Sequence, residues 1–227
     1  HIYLKYILGI CLKDSRSTLN KKCSMEVSIV TESEEKMFYH SIDSKELKLD
    51  INETARRLNT ERGYTNALIE KCDEALKKAV ECSFCAEETA VRIAGDEVDL
   101  GFVKIQSRSL SKNLEGCKSA FVFAVTLGTN VDRIIKKLSV TSVSEHFITD
   151  ALASSYAEAA MDYAEKIIKN GKECSVRFSP GYGDVPLEIQ KNVIEYIGAE
   201  KLLNIKLGES FIMTPMKSVT AIMGIKK

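Results

Sequence analysis

The sequence predicts an α+β fold: a largely antiparallel twisted sheet with long flanking helices and a small N-terminal helical subdomain. Three observations carry this expectation. The order of helical and strand patterns is mixed, with no regular β-α alternation. The segment SAFVFAVTLG, residues 119–128, is a continuous apolar run of strand length, the pattern of a strand buried on both faces. Residues 144–170 form the longest helical pattern, with apolar or small residues at 147, 148, 151, 152, 155, 156, 159, 160, 163 and 167 and Gly171 as its C-cap residue.

The remaining elements follow in chain order. Residues 25–40 read as one or two edge strands or a loose hairpin, rich in Ser, Thr and Glu. In LKLDINETARRLN, Asp50 or Asn52 can cap a helix whose first turn holds Glu53. Apolar positions 68, 72, 75, 76, 79 and 80 continue as a helix, with Cys82-Ser-Phe-Cys85 at its end. DEVDLGFVKIQS, residues 96–107, alternates as a strand with a bulge, and TNVDRIIKKLS is a short helix. ECSVRFS, residues 173–179, is a strand leading into RFSPGYGDVP. Leu187 to Ile197 is an amphipathic helix ended by Gly198, and SFIMTP and SVTAIMGI are two final strands. The implied organisation is an N-terminal extension over 1–24, a strand and helical subdomain over 25–95, and an α+β core over 96–227.

Composition narrows the function classes. With 32 basic and 32 acidic residues the net charge is zero, so nothing global favours nucleic acid or an anionic membrane. No apolar run reaches the roughly 18 to 20 residues of a membrane span. The N-terminal IYLKYILGICLK lacks a small-residue cleavage site, which argues against a signal peptide. The chain begins at His1, and Met25 offers an alternative start. Seven cysteines without a disulfide rhythm suggest a reducing cytoplasm. The lone C-x-x-C lacks the two further ligands that tetrahedral zinc requires, which favours packing over a metal or a redox role. His146 has no visible nucleophile partner. Glu87-Glu88 and Asp96-Glu97-Asp99 read as solvated faces, and Arg133 to Leu138 as a helix with an exposed basic side.

The site candidate is RFSPGYG. Two of the chain's three prolines fall within Arg177–Pro186. A strand delivers Arg177 to the sheet rim, Pro180-Gly181 forces a turn, and the glycines let a ligand approach open backbone groups. Tyr182 offers an aromatic face, and Arg177 a planar fork suited to a carboxylate. Together they suit a ligand with an α-carboxylate and a purine; the alternative is a tight structural turn with a surface arginine. No phosphate-binding glycine motif is present.

RFSPGYGDVPLEIQK, followed by LNIKLGESFIMTPMKSVTAIMG, resembles the S-adenosylmethionine-binding activation domain of cobalamin-dependent methionine synthase. That family has an R-x-x-P-G-Y loop, a K-L-T-E-S-F-A-M-x-P stretch and an S-V-x-G strand. DALASSYAEAAMDYAE resembles its long helix, and the match spans Ser119 to the C-terminus. The resemblance implies S-adenosylmethionine binding, with Arg177 holding the carboxylate and Phe178, Ser179, Pro180, Gly181 and Tyr182 contacting the adenosyl part. It further implies reductive methylation of cob(II)alamin, held by the cobalamin-binding module of a separate methionine synthase, with an electron from flavodoxin. This chain would be a free-standing activation subunit in methionine biosynthesis, with no catalytic acid, base or metal of its own. Departures are Val185-Pro186-Leu187-Glu188-Ile189-Gln190-Lys191, which lacks the family's histidine, and Ala221 in place of the S-V-x-G glycine. The chain ends at Lys227, short of the hairpin bearing the family's ligand-contacting tyrosine. The rival reading is a non-catalytic interaction subunit that docks on a corrinoid protein or methyltransferase. A stand-alone methyltransferase is weaker, for want of a glycine-rich β-α loop.

Overall fold

The computed structural model describes residues 38–47, 49, 54–56, 58 and 63–226. The start of the expected 25–40 hairpin, the caps at Asp50 and Asn52, and Glu53 lie outside them.

Four strands make the main sheet: β1 (Phe38–Ile42), β2 (Cys82–Ala90), β6 (Ser119–Thr126) and β9 (Ser218–Ile225), in the order β1-β2-β6-β9. Every pairing is antiparallel, with Phe84 opposite Val125 and Phe123 opposite Ala221. The expected antiparallel α+β architecture is therefore the one observed. A separate meander holds β3 (Arg92–Ala94), β4 (Glu97–Asp99) and β5 (Lys104–Gln106), and a small ladder pairs β7 (Lys206–Leu207) with β8 (Met213–Thr214).

Strand alternation divides the apolar side chains into two layers. On one face Phe84, Phe121, Phe123, Ala221 and Met223 pack against α1 (Asn66–Lys77), α3 (Thr129–Thr141) and α4 (Val143–Lys169). On the other, Cys85, Val122, Ala124 and Ile222 meet β4, β5, α2 (Arg108–Asn113), α5 (Gln190–Tyr196) and α6 (Ala199–Leu203). Coverage on both sides is why residues 120–125 read as an unbroken apolar run. Along α4, Ala153, Ala157, Ala160 and Ala164 are buried. Small side chains at this spacing let a 27-residue helix lie close across the sheet.

Several elements differ from the sequence reading. Cys82-Ser-Phe-Cys85 opens β2 and is not a helix end, because α1 stops at Lys77. Cys82 and Cys85 then face opposite layers and cannot share a metal or a disulfide. Burial pushes both thiols up to about 12. Glu87, expected on a solvated face, is only 8% exposed in β2. The buried stripe of α4 includes the expected 148, 152, 156 and 160 together with 149, 153, 157, 161, 164 and 168, while 151, 155, 159, 163 and 167 are only half-buried and Phe147 is 40% exposed. Asn170 caps α4 in the left-handed region with φ 42°, one residue before Gly171 at φ 82°. The 96–107 strand is broken at Gly101, φ 81°, into β4 and β5. Residues 187–203 divide into a 3-10 turn (Leu187–Ile189), α5 and α6, with Gly198 left-handed between the helices.

Candidate functional site

The site begins with a fault in strand pairing. ECSVRFS is not a regular strand: it touches the outer edge of β9 only through bridges from Cys174 to Ile225 and from Phe178 to Ile222. Four chain steps from Cys174 to Phe178 thus stand against three from Ile222 to Ile225, so one residue is extra. Ser175 donates its amide to the Gly224 carbonyl and accepts the Gly224 amide on Oγ at 2.9 Å, closing the pairing on one side of the bulge. Val176, 77% exposed, takes up the surplus. An extra residue rotates everything beyond it by one face. Cys174 packs in the α4 layer and Phe178 in the opposite one, although both positions are even. Arg177 is thereby turned toward α4.

There its guanidinium meets three carboxylates spaced along one helix face. Nη1 donates to Asp162 at 2.6 Å and to Glu165 at 2.5 Å, and Nη2 donates to Glu158 at 2.6 Å. Lys169 reaches Glu165 from the next turn at 2.8 Å. Burial lowers the arginine's proton affinity, but the hydrogen bonds it donates to Asp162 and Glu165 outweigh that and keep it charged. Burial likewise raises Glu165, and the Lys169 and Arg177 contacts more than offset it, holding the carboxyl below its ordinary range. Asp150 and Ser154 extend the same polar edge of α4 toward Lys217, which contacts them at 2.8 and 2.9 Å just before β9. The edge thus carries an acidic row with a cation at either end. Glu158 and Asp162 remain 65% and 71% exposed.

Beyond Phe178 the chain folds into a compact loop. The Tyr182 amide donates to the Ser179 carbonyl across Pro180-Gly181, and Gly181, at φ 80°, supplies the left-handed position such a turn needs. The Gly181 amide donates to Val185, and the Val185 amide to Tyr182. Phe178 uses both its amide and its carbonyl on Ile222. The expectation of open backbone groups therefore holds only in part, since the amides of Gly181, Tyr182 and Val185 are used within the loop and that of Phe178 on Ile222. It presents side chains instead. Tyr182 is 69% exposed and stands edge-on to Phe178 at 5.4 Å. Ser179 and Pro180 are half-buried, and Gly181 is exposed.

The far end of the loop is fastened by Asp184. Its carboxylate accepts the Ser107 hydroxyl, the Arg108 amide at 2.9 Å and the Ser109 amide at 3.2 Å. These bonds, the Ser107 hydroxyl first, hold the carboxyl down at about 2. Gly183 sits so close to α2 that a Cβ there would lie 3.2 Å from Ser109 Oγ. Val185 then enters the core at 4% exposure.

The structure thus brings Arg177 to Tyr182 together at one edge, with Arg177 directed at α4 and Tyr182 at solvent. Sequence reasoning missed Glu158, Asp162 and Glu165, although their spacing of four and three residues on a helix was a usable signal. It also missed Asp184 and Lys217, which long-range folding alone brings into place. His146 makes a 3.1 Å contact with the Ile135 carbonyl. No group of three or more metal-ligating side chains occurs among the described residues, and no helix there is long and apolar enough to cross a membrane.

Comparison with known proteins bears on the fold. No protein-family model and no curated protein matches the sequence. Among solved structures, the chain is similar to the MetH reactivation domain bound to AdoHcy, with a TM-score of 0.61 and 18% identity over 83% of this chain and 78% of that one. The antiparallel sheet with its flanking helices is the fold of that reactivation domain.

Proposed function

We propose that this chain binds S-adenosylmethionine at the edge formed by Arg177–Tyr182 and α4, and supports reductive methylation of cob(II)alamin in a separate cobalamin-dependent methionine synthase. The observation that carries the reading is the bulge-directed Arg177 beside an exposed tyrosine loop, in the fold of a domain whose crystal structure holds AdoHcy.

The local chemistry suits the ligand. Glu158, Asp162 and Glu165 against Arg177 and Lys169 leave one negative charge, complementary to an ammonium or sulfonium centre. A ligand carboxylate would take the Arg177 fork in exchange for one of the exposed acids, and the ammonium would take the acid so released. Such charge-assisted bonds are each worth about 1.5–3 kcal/mol. The exposed ring of Tyr182 would stack on adenine. The role of this chain would be to hold S-adenosylmethionine with its sulfonium methyl turned to the partner module, where cobalamin reduced by one electron would supply the nucleophile that takes the methyl and leaves AdoHcy as the product. The cobalamin module, flavodoxin as electron donor and a cytoplasmic setting belong to this proposal.

One observation favours the rival, an interaction subunit that keeps the fold without the ligand: three carboxylates already satisfy Arg177. Calorimetric titration of S-adenosylmethionine into the protein and into Arg177→Ala separates the two. Saturable binding that the variant loses supports the ligand site. Binding unchanged by the variant refutes the placement of the carboxylate, and no heat with either protein leaves the interaction subunit as the better reading. A positive result leads to a reactivation assay in trans, with a synthase lacking its own activation domain.

A further inference from the structure

The loop that carries Tyr182 has three anchors. Phe178 pairs with Ile222 at one end, and Val185 is buried at the other. Between them lies Asp184, which is solvent-exposed yet receives three donors from the start of α2. Ser107 is well suited to the clamp. It is 2% exposed, and its Oγ accepts the Leu110 amide at 3.0 Å while donating to Asp184, so its hydroxyl is oriented from both sides. The Ser107 amide is also bound, to the Asp96 carbonyl at 2.9 Å. A rigid donor set thus meets a carboxylate on an otherwise exposed loop. Only five residues, Ser179 to Gly183, separate Asp184 from Phe178, so fixing both ends leaves the turn at Pro180-Gly181 little freedom.

We propose that Asp184 is a positioning residue, whose clamp on Ser107 and the Arg108 and Ser109 amides sets the Pro180–Tyr182 turn in its ligand-accepting shape before the ligand arrives. The role rests on the ligand reading above. Its basis is preorganisation: a loop ordered in advance does not lose that ordering entropy on binding. The carboxylate does not touch the ligand; it acts through the turn. Glu is too long to reproduce the geometry. Asn keeps one acceptor oxygen but loses the charge and the second acceptor, so it retains part of the clamp.

The test combines hydrogen exchange with calorimetry on wild type, Asp184→Ala, Asp184→Asn, Ser107→Ala and the Asp184→Ala/Ser107→Ala double variant, at a temperature where all are folded. Expected in Asp184→Ala is lost protection of the Gly181, Tyr182 and Val185 amides with β6 and β9 unchanged. The dissociation constant of S-adenosylhomocysteine, used as the stable probe, should rise about ten- to a hundred-fold, as for one or two turn residues whose ordering entropy must now be lost on binding. Asp184→Asn should fall between, and the second substitution should add little to the first. Unchanged amide protection overturns the clamp whatever the ligand does. Lost protection with an unchanged dissociation constant overturns the positioning role while leaving the ligand reading intact. No binding by wild type overturns the ligand reading and this role with it.

Discussion

Replacing Arg177 by methionine keeps an aliphatic stem and removes the guanidinium with its charge and donors, so it isolates the α4 contact. The three contacts are unequal. Glu158 and Asp162 are 65% and 71% exposed, and their pairs contribute about 0–1 kcal/mol each. Glu165 is 14% exposed, and loss of its charge-assisted bond costs about 1.5–3 kcal/mol. Lys169 stays in place and limits the damage. The expected loss is about 2–3 kcal/mol, which lowers Tm by roughly 4–12 °C at this chain length. The effect depends on pH with a definite sign. Because the folded state holds the Glu165 carboxyl below its unfolded value, its contribution is complete above the ordinary carboxylate range and is lost as pH falls through the depressed folded value. Differential scanning calorimetry of both proteins from pH 7 down to about pH 2 should show two curves that converge below the ordinary carboxylate range. Equal Tm values at pH 7 would mean that Arg177 does not hold the acidic face of α4 in solution, and the electrostatic account of the site would fail with it.

Three further outcomes follow from packing and burial. Gly224→Ala would place a Cβ 2.6 Å from Cys117 Sγ and 2.8 Å from Leu114 Cδ2, so urea unfolding should show a loss of about 1–3 kcal/mol, partly restored by Cys117→Ala. Tyr156→Phe removes the 2.7 Å bond to buried Asp73, whose contact with Lys77 at 2.6 Å remains, and should cost about 1–3 kcal/mol with no change in secondary structure by circular dichroism. His40 is 5% exposed, its Nδ1 is buried without a hydrogen-bond partner among the described residues, and burial lowers its proton affinity against the opposing pull of Glu46. Stability should be complete above about pH 6.5, the unfolded value, and decline below it as the unfolded chain takes up the proton first; His40→Phe should flatten that slope.

What the sequence disclosed depended on how local the signal was. β6 was legible because both of its faces are buried, which leaves an unbroken apolar run. α4 was legible from period alone, yet its stripe was partly misplaced because aromatic Phe147 and Tyr163 drew attention from the alanines that pack closest. β2 was obscured: Cys82 to Ala90 contains three polar or charged residues in sequence, Glu87, Glu88 and Thr89, and the preceding helical stripe seemed to run into it. The turn at Pro180-Gly181 was readable from residue type. The direction of Arg177 was not, since it depends on how Cys174 to Phe178 counts against a strand nearly fifty residues later. Asp184 was hidden for the same reason, its partners lying 75 to 77 positions earlier in the chain.

The surplus residue in the edge pairing gives this stretch one residue of slack. Val176 projects into solvent, so its side chain should tolerate almost any exchange. Deleting it would leave three steps against three, so Phe178 would still stand opposite Ile222 and Arg177 would still face α4. The position should therefore be as forgiving in a deletion scan as in a substitution scan.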